Sequence, residues 1–246
     1  MDEARLLHVL DEAIRAVRAA LDGLDDWGPA GTLPGQYRLD LAADAAALPV
    51  LQGAGLAVLS EESGLSGDPS AALMAVIDPV DGSTNAHRGI PFYSTSICVL
   101  DSDGPLAGMV VNQATGTRFE AVRGGGARHD GKAIAPSGCT DLPSAIVGIS
   151  GFPGCHPGWA QFRALGAASL EFCAVAEGML DAYSVVGKST LFGWDYLAGM
   201  LICAEAGAVT ADRDGAPVVV RDASPRRPVV AATRQLSAQL LVVGSL

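Results

Sequence analysis

Positive charge is the scarcest ingredient of this 246-residue chain. Sixteen Lys and Arg stand against 27 Asp and Glu, a formal net charge of −11 at pH 7. No Lys/Arg cluster offers a stripe that could track a phosphate backbone, which argues against a nucleic-acid-binding surface. Long apolar runs are missing too. The longest stretches are broken by Asp, Glu, Pro or Gly, so no segment is expected to span a membrane. The opening segment, residues 1–13, is charged and lacks the apolar core and cleavage site of a secretory leader, which predicts a cytoplasmic protein. Nor is there a CxxC pair. The five cysteines (Cys98, Cys139, Cys155, Cys173, Cys203) are odd in number and far apart. Reduced, mostly buried thiols are expected, rather than a zinc site or a disulfide framework. Internal repeats and low-complexity tracts are absent as well.

What remains is 49% hydrophobic and 17% charged, with 30 Gly and 14 Pro. That composition fits a turn-rich globular protein, long enough for one large domain or two smaller ones sharing an interface. Leu6, Leu7, Leu10, Ile14, Val17, Leu21 and Leu24 recur at helical spacing with charges opposite, which predicts an amphipathic helix over 3–24. A Gly/Pro-rich turn over 28–35 follows it. An Ala-rich helix is expected over 44–55, with Pro49 awkwardly in its middle. Residues 56–60 read as a short buried strand, and the apolar run 71–77 stops abruptly at Asp78-Pro79. Alternation over 94–100, 107–111 and 117–122 predicts a strand meander. Gly124-Gly125-Gly126 lacks the Lys-Ser/Thr of a phosphate loop and reads as a tight hairpin. Pro, Ser, Gly and Asp cluster over 136–143, placing a boundary between an N-terminal part (1–136) and a C-terminal part (137–246). Beyond it come a strand (145–149), a helix (166–179), a strand (181–186), an apolar helix (194–206) and late strands (218–220, 228–232). Mixed α and β layers follow.

Three acidic patches each adjoin an apolar run: Glu61-Glu62, Asp78-Pro79-Val80-Asp81-Gly82-Ser83-Thr84, and Trp194-Asp195. Carboxylates just past buried elements are held rigidly yet open to solvent, and hard divalent cations want oxygen ligands of this kind. Converging anions without matching Lys or Arg repel one another unless an ion holds them, and an acidic protein needs local cations to accept an anionic substrate. In the middle patch Asp78 is expected to end a strand, Pro79 to enforce a turn and Asp81 to cap a following helix. The N–H groups of Gly82, Ser83 and Thr84 would then form an anion site, and a hydroxyl at Ser83 or Thr84 could orient a water for in-line attack. Each patch also has a bland reading. Glu-Glu is usually a solvated turn, Asp-Pro-x-Asp-Gly is usually turn chemistry, and Trp-Asp before a helix is ordinarily a cap. His87 reads as a local polar contact.

Order and spacing together weigh against three coincidences. Ile77 to Asn85, followed by Gly89-Ile90-Pro91-Phe92, resembles the first signature of the inositol monophosphatases, a magnesium-dependent, lithium-sensitive phosphatase family. Trp194-Asp195-Tyr196-Leu197-Ala198-Gly199, continuing to Glu205-Ala206-Gly207, is similar to their second. Glu61-Glu62-Ser63, residues 163–168 and Asp181-Ala182-Tyr183 also resemble family segments. The resemblance implies an αβαβα sandwich of the inositol monophosphatase/fructose-1,6-bisphosphatase type, usually a homodimer. It implies two to three Mg²⁺ ions held by Glu61, Asp78, Asp81, Asp195 and the Val80 carbonyl. Ser83, assisted by Glu61 and Asp44, would position the attacking water, and the N–H groups of Gly82, Ser83 and Thr84 would hold the phosphate.

The chain departs from the family pattern in three places. Ser83 stands where Thr is commoner. Residues 35–38 offer no Lys near the metals, Arg38 being the available cation. Residues 185–193 differ from the usual acidic loop and bring Lys188. Candidate substrate contacts are Arg163, Ala168, Ser169 and Lys188, with Glu171 as a further polar partner. The implied reaction is hydrolysis of a small phosphate monoester, inositol monophosphate or a similar polyol or sugar phosphate. Fructose 1,6-bisphosphate, histidinol phosphate and 3′-phosphoadenosine 5′-phosphate are alternatives on the same fold. A non-catalytic relative that binds a phosphorylated ligand is the reading from a different class.

Overall fold

Helix α1 (Glu3–Asp22) realises the opening apolar spacing, and Leu6, Val9, Leu10, Ala13, Ile14, Val17 and Leu21 all bury along one face. Asp2 caps it by accepting the Arg5 N–H at 2.8 Å, as a short acidic side chain does at a helix start. Helix α2 (Arg38–Gly53) packs beside it and begins six residues before the expected start. Pro49 does not end it. The carbonyl deprived of its partner belongs to Ala45, on the exposed side, where water can take it up.

The structure is a computed structural model that describes residues 1–31, 35–68 and 70–243; part of the turn expected over 28–35 lies outside these residues. Eight strands form the first sheet: β1 (Ala57–Ser60), β2 (Gly64–Ser66), β3 (Met74–Asp81), β4 (Ser94–Asp101), β5 (Gly104–Asn112), β6 (Arg118–Val122), β7 (Ala127–His129) and β8 (Lys132–Ala133). Their order is β2-β1-β3-β4-β5-β6-β7-β8. Only β1 and β3 run parallel; the rest is the expected meander. A short helix, α3 (Ser83–Arg88), follows β3 directly. The Gly124–Gly126 turn joins β6 to β7, and the Glu205 carboxylate accepts the N–H groups of Gly124 and Gly126 at 2.8 and 2.9 Å.

The second sheet takes β9 (Ile146–Ser150), β10 (Gln161–Arg163), β11 (Ala182–Val185), β12 (Val209–Asp212) and β13 (Pro228–Ala231) in the order β10-β9-β11-β13-β12. Helices α4 (Ala168–Ala176) and α5 (Gly193–Ala206) fill the space between the two sheets, and α6 (Arg234–Val243) covers the far face of the second. The layers therefore run α1/α2, sheet, α4/α5, sheet, α6, which is the expected αβαβα sandwich. Among the described residues no helix is long and apolar enough to cross a membrane. The expected strand over 218–220 does not form. Val218 and Val219 pack against the central core as irregular chain, and the Val218 carbonyl accepts the Tyr196 hydroxyl at 2.6 Å.

Strand alternation sorts the first sheet into two faces. Val58, Ala75, Ile77, Ile97, Val99 and Met109 meet α1 and α2, while Leu59, Val76, Cys98, Leu100 and Val110 meet α4 and α5. Two glycines let the central helices come close. A Cβ on Gly108 would lie 3.2 Å from the Ala198 carbonyl oxygen, and one on Gly199 would lie 2.6 Å from Phe172 Cβ. The first sheet uses chain from 57 to 133 and the second from 146 to 231, yet α4 and α5, from the second half, complete the core of the first.

Candidate active site

The alternation that points Val76 at α5 points Asp78 the same way, and α5 brings Asp195 to meet it from its first turn. Asp195 Oδ2 accepts the Phe192 N–H at 2.6 Å, tying the carboxylate to the start of its own helix. Glu61 follows β1 at once, its N–H donating to the Ile77 carbonyl at 3.2 Å. Each of Glu61, Asp78 and Asp195 offers a carboxylate oxygen, and these lie within 4.8 Å of one another. Asp78 is buried, and its Oδ1 has no hydrogen-bond partner. Burial, followed by the charges of Glu61, Asp81 and Asp195, holds Asp78 well above the ordinary carboxylate range. Burial and the charges of Asp81 and Glu61 push Asp195 up likewise, against the Phe192 N–H. Glu61 is exposed as a residue, but its carboxyl is desolvated and rises to about 7, burial leading and Glu62 adding to it. No ion pair among the described residues engages any of the three. Mutually repelling hard oxygens, one of them buried and unpartnered, fit a divalent cation that prefers oxygen ligands.

Pro79 was expected to turn the chain, but β3 runs through it to Asp81. The register with β4 shifts between Asp78 and Asp81, a bulge that leaves the proline's missing N–H outside the ladder. The Pro79 carbonyl accepts the Thr95 hydroxyl at 2.8 Å. Past the bulge, Asp81 caps α4 rather than the adjacent α3. Its carboxylate accepts Ala168 N–H at 3.2 Å, Ser169 N–H at 2.7 Å and the Ser169 hydroxyl at 2.6 Å. These donors are the orphaned first N–H groups of a helix, and they restrain a pKa that burial still lifts to about 6. Gly82 then turns the chain at φ +87°, where a Cβ would also lie 3.0 Å from the Gly166 carbonyl oxygen. Only glycine meets both demands. Asn85 fixes the same junction, donating to the carbonyls of Phe92 (2.8 Å) and Leu165 (2.7 Å).

Ser83, half-buried at the start of α3, faces the opening of α2. The carboxylate of that helix nearest to it is Asp40: buried, with Oδ2 accepting the Tyr37 N–H at 2.9 Å, and with the Ser83 side chain near enough to favour its charged form. Burial raises Asp40 to about 7; Glu62 and Glu61 add to the rise, and the Tyr37 N–H and the Ser83 side chain oppose it. Asp44, the expected assistant of Ser83, accepts the Ser60 hydroxyl at 2.5 Å instead. Sequence reading missed Asp40 although it sits four residues before Asp44, the spacing that places two side chains on one helix face. It missed Asn85 as well, since its partners lie far along the chain.

The substrate contacts expected from sequence are dispersed. Ala168 and Ser169 are buried, and both N–H groups and the Ser169 hydroxyl serve Asp81. Their donors thus tie the start of α4 to Asp81. Glu171 is buried too, accepting the Leu165 N–H at 3.3 Å, and burial raises it to about 8. Arg163 lies on β10 and donates to the Phe162 carbonyl and Gln161 Oε1. Lys188 is exposed on the loop between β11 and α5. Arg38 does not stand in for a site lysine, because it pairs with Asp26 at 2.6 Å. His87 packs its ring against Tyr37, centroids 5.2 Å apart. Three cysteines (Cys98, Cys173 and Cys203) are buried, Cys155 is exposed, and all five are free thiols.

Comparison with known proteins agrees with this layout. The Archaeoglobus fulgidus protein named fructose-1,6-bisphosphatase/inositol-1-monophosphatase is 31% identical over 98% of this chain and 98% of its own length. The Nus factor SuhB of Pasteurella multocida is 32% identical over 173 residues, 64% of this chain and 63% of that protein, so the match spans less than two thirds of that relative. Among solved structures, an extragenic suppressor from Pyrococcus furiosus superposes with a TM-score of 0.84 at 26% identity, covering 97% of this chain and all of that one. Inositol monophosphatase II of Staphylococcus aureus gives 0.82 at 22% identity over 97% and 92% of the two chains, a likeness of fold. The family model described as the inositol monophosphatase family matches residues 50–243, most of the sequence. On that match this chain belongs to the inositol monophosphatase family.

Proposed function

We propose that the protein is a Mg²⁺-dependent phosphatase that hydrolyses a small phosphate monoester, inositol monophosphate or a similar polyol or sugar phosphate. The observation that carries this reading is the buried, unpartnered Asp78 Oδ1 amid the Glu61, Asp78 and Asp195 carboxylates. Those three, with Asp81 and the Val80 carbonyl, are the proposed ligands of two to three ions. When bound, Mg²⁺ supplies Lewis-acid activation of water and neutralises phosphate charge. The chain does the rest. The first N–H groups of α3, with that of Gly82, hold phosphate oxygens, as helix starts do. Ser83 orients the attacking water, and the starts of α4 and α5 present positive dipole ends to the anionic centre. Ala168, Ser169, Lys188 and Arg163 are the candidate contacts for the remainder of the substrate.

Phosphate release with and without Mg²⁺ tests this over inositol 1-phosphate, fructose 1,6-bisphosphate, histidinol phosphate, 3′-phosphoadenosine 5′-phosphate and an aryl phosphate. Mg²⁺-dependent release is expected, with the highest kcat/KM on a polyol or sugar phosphate. Silence on every substrate would turn the reading toward a non-catalytic binder of phosphorylated ligands. Against that alternative stands the retention of all four site carboxylates and the Ser83 hydroxyl.

A further inference from the structure

We infer that Ser94, Thr95 and Ser96 are positioning residues that hold the metal-site segments rigid enough to favour Mg²⁺ over the larger Ca²⁺. The three act within the Mg²⁺-dependent site proposed above, on which this reading rests, and they set its choice of cation.

These three consecutive hydroxyl residues of β4 are all buried, and each reaches a different part of the site. The register with β3 sets Ser96 opposite Asp78 and Ser94 opposite Asp81, so both leave the sheet toward α4 and α5. Ser94 Oγ lies 2.8 Å from Ser169 Oγ. The one hydroxyl proton of Ser169 goes to Asp81 at 2.6 Å, so Ser94 is the donor of that pair. Ser96 donates to the Trp194 carbonyl at 3.3 Å, part of the peptide unit that carries Asp195. Thr95 faces the other way and donates to the Pro79 carbonyl at 2.8 Å, inside the bulge between Asp78 and Asp81. Buried Gln113 donates to Thr95 Oγ1 at 2.8 Å, which keeps the threonine proton on Pro79. One strand therefore grips the Asp81–α4 joint, the α5 start and the β3 bulge. Packing alone does not call for hydroxyls here, because burying one is costly unless it is bonded. The next four residues of the same strand, Ile97 to Leu100, are apolar and equally buried. Mg²⁺ needs bonds of about 2.0–2.1 Å in octahedral order, while Ca²⁺ accepts about 2.3–2.6 Å in irregular shells, so ligand rigidity discriminates between them.

Titration calorimetry of the full chain with Mg²⁺, and separately with Ca²⁺, tests the assignment. Ser94→Ala, Ser96→Ala and the isosteric Thr95→Val each remove one hydroxyl. Each is expected to raise the Mg²⁺ Kd by roughly 10- to 100-fold, the usual effect of removing an outer partner of a metal ligand. The Ca²⁺ Kd should rise less than about threefold, since a looser site still suits the larger ion. The ratio of the two Kd values thus falls, which a loss of stability alone would not produce. Thr95→Ser keeps the hydroxyl and should keep the wild-type ratio. Ser184→Ala is the control: this buried β11 hydroxyl accepts from the Arg213 guanidinium, and its loss should lower Tm while leaving both Kd values unchanged. A ratio that stays at the wild-type value in Ser94→Ala, Ser96→Ala and Thr95→Val, or one that falls as far in Ser184→Ala or Thr95→Ser, would overturn the assignment. Wild-type phosphate release with Mg²⁺ would then leave the phosphatase reading standing. A wild-type chain that binds no Mg²⁺ would remove that reading and the positioning role together.

Discussion

Asp78 and Asp81 are three residues apart, yet they answer different demands. Asp78 has a buried oxygen with no donor, so without metal its charge only destabilises. Asp81 receives three hydrogen bonds and joins β3 to α4. Neutralising each should therefore separate metal binding from folding. Asp78→Asn is expected to raise the Tm of the metal-free protein while abolishing the Tm increment from Mg²⁺. Asp81→Asn is expected to lower turnover by orders of magnitude and also to cost about 1–3 kcal/mol of stability, because the amide N–H₂ it introduces faces the Ala168 and Ser169 donors. Denaturant melts of the two metal-free variants decide it: equal shifts in one direction would refute the division. The local part of this site was legible in sequence, since Asp78, Asp81 and Gly82 lie within one short motif. The role of Asp81 was not, because its donors come from α4, 87 and 88 residues away.

At the scale of elements, the site depends on how closely two helix starts approach one sheet. The α4 start holds Asp81 and the α5 start carries Asp195, so the α4–α5 spacing fixes where these carboxylates stand. Gly199 sets that spacing, with its missing Cβ only 2.6 Å from Phe172 Cβ. Gly199→Ala should force the helices apart, costing about 1–3 kcal/mol and weakening the Mg²⁺-dependent rise in Tm. Gly53→Ala is the matched control: Gly53 has open space around it at the end of α2, so the change should be neutral or slightly stabilising. An equal loss from both would refute the spacing argument. Periodicity revealed α1, α5 and the meander, whose patterns are long. It failed on short pieces that tertiary contacts decide. Residues 218–220 resemble a strand but serve as core cover, while Val209–Asp212 pairs with β13 on little local signal. The prolines misled for a related reason: Pro49 leaves its orphaned carbonyl exposed, and Pro79 falls at a bulge, so neither breaks its element.

For the whole molecule, the site is a concentration of buried negative charge in a chain already at −11. The carboxyls of Glu61 and Asp40 are raised to about 7, Asp81 to about 6 and Glu171 to about 8, each chiefly by burial, with Asp78 and Asp195 also well above the ordinary range. A carboxyl raised in the folded state binds its proton more tightly there than in the unfolded chain. Its stabilising share is fully present below the unfolded pKa, near 4, and is lost as pH climbs through the folded values between about 6 and 8. The metal-free protein should therefore lose Tm from about pH 5.5 to about pH 8. Bound cations replace the protons, so the Mg²⁺ increment in Tm should grow over the same window as proton competition fades. At Mg²⁺ a hundredfold above its Kd, linkage gives about 2.7 kcal/mol per site, or roughly 5–10 °C for a protein of this size. Thermal melts across that pH range, with EDTA or with Mg²⁺, provide the measurement. An increment as large at pH 5.5 as at pH 8 would mean that protons and metal do not compete for these carboxylates, and the cluster would then be a folding feature with no part in metal binding.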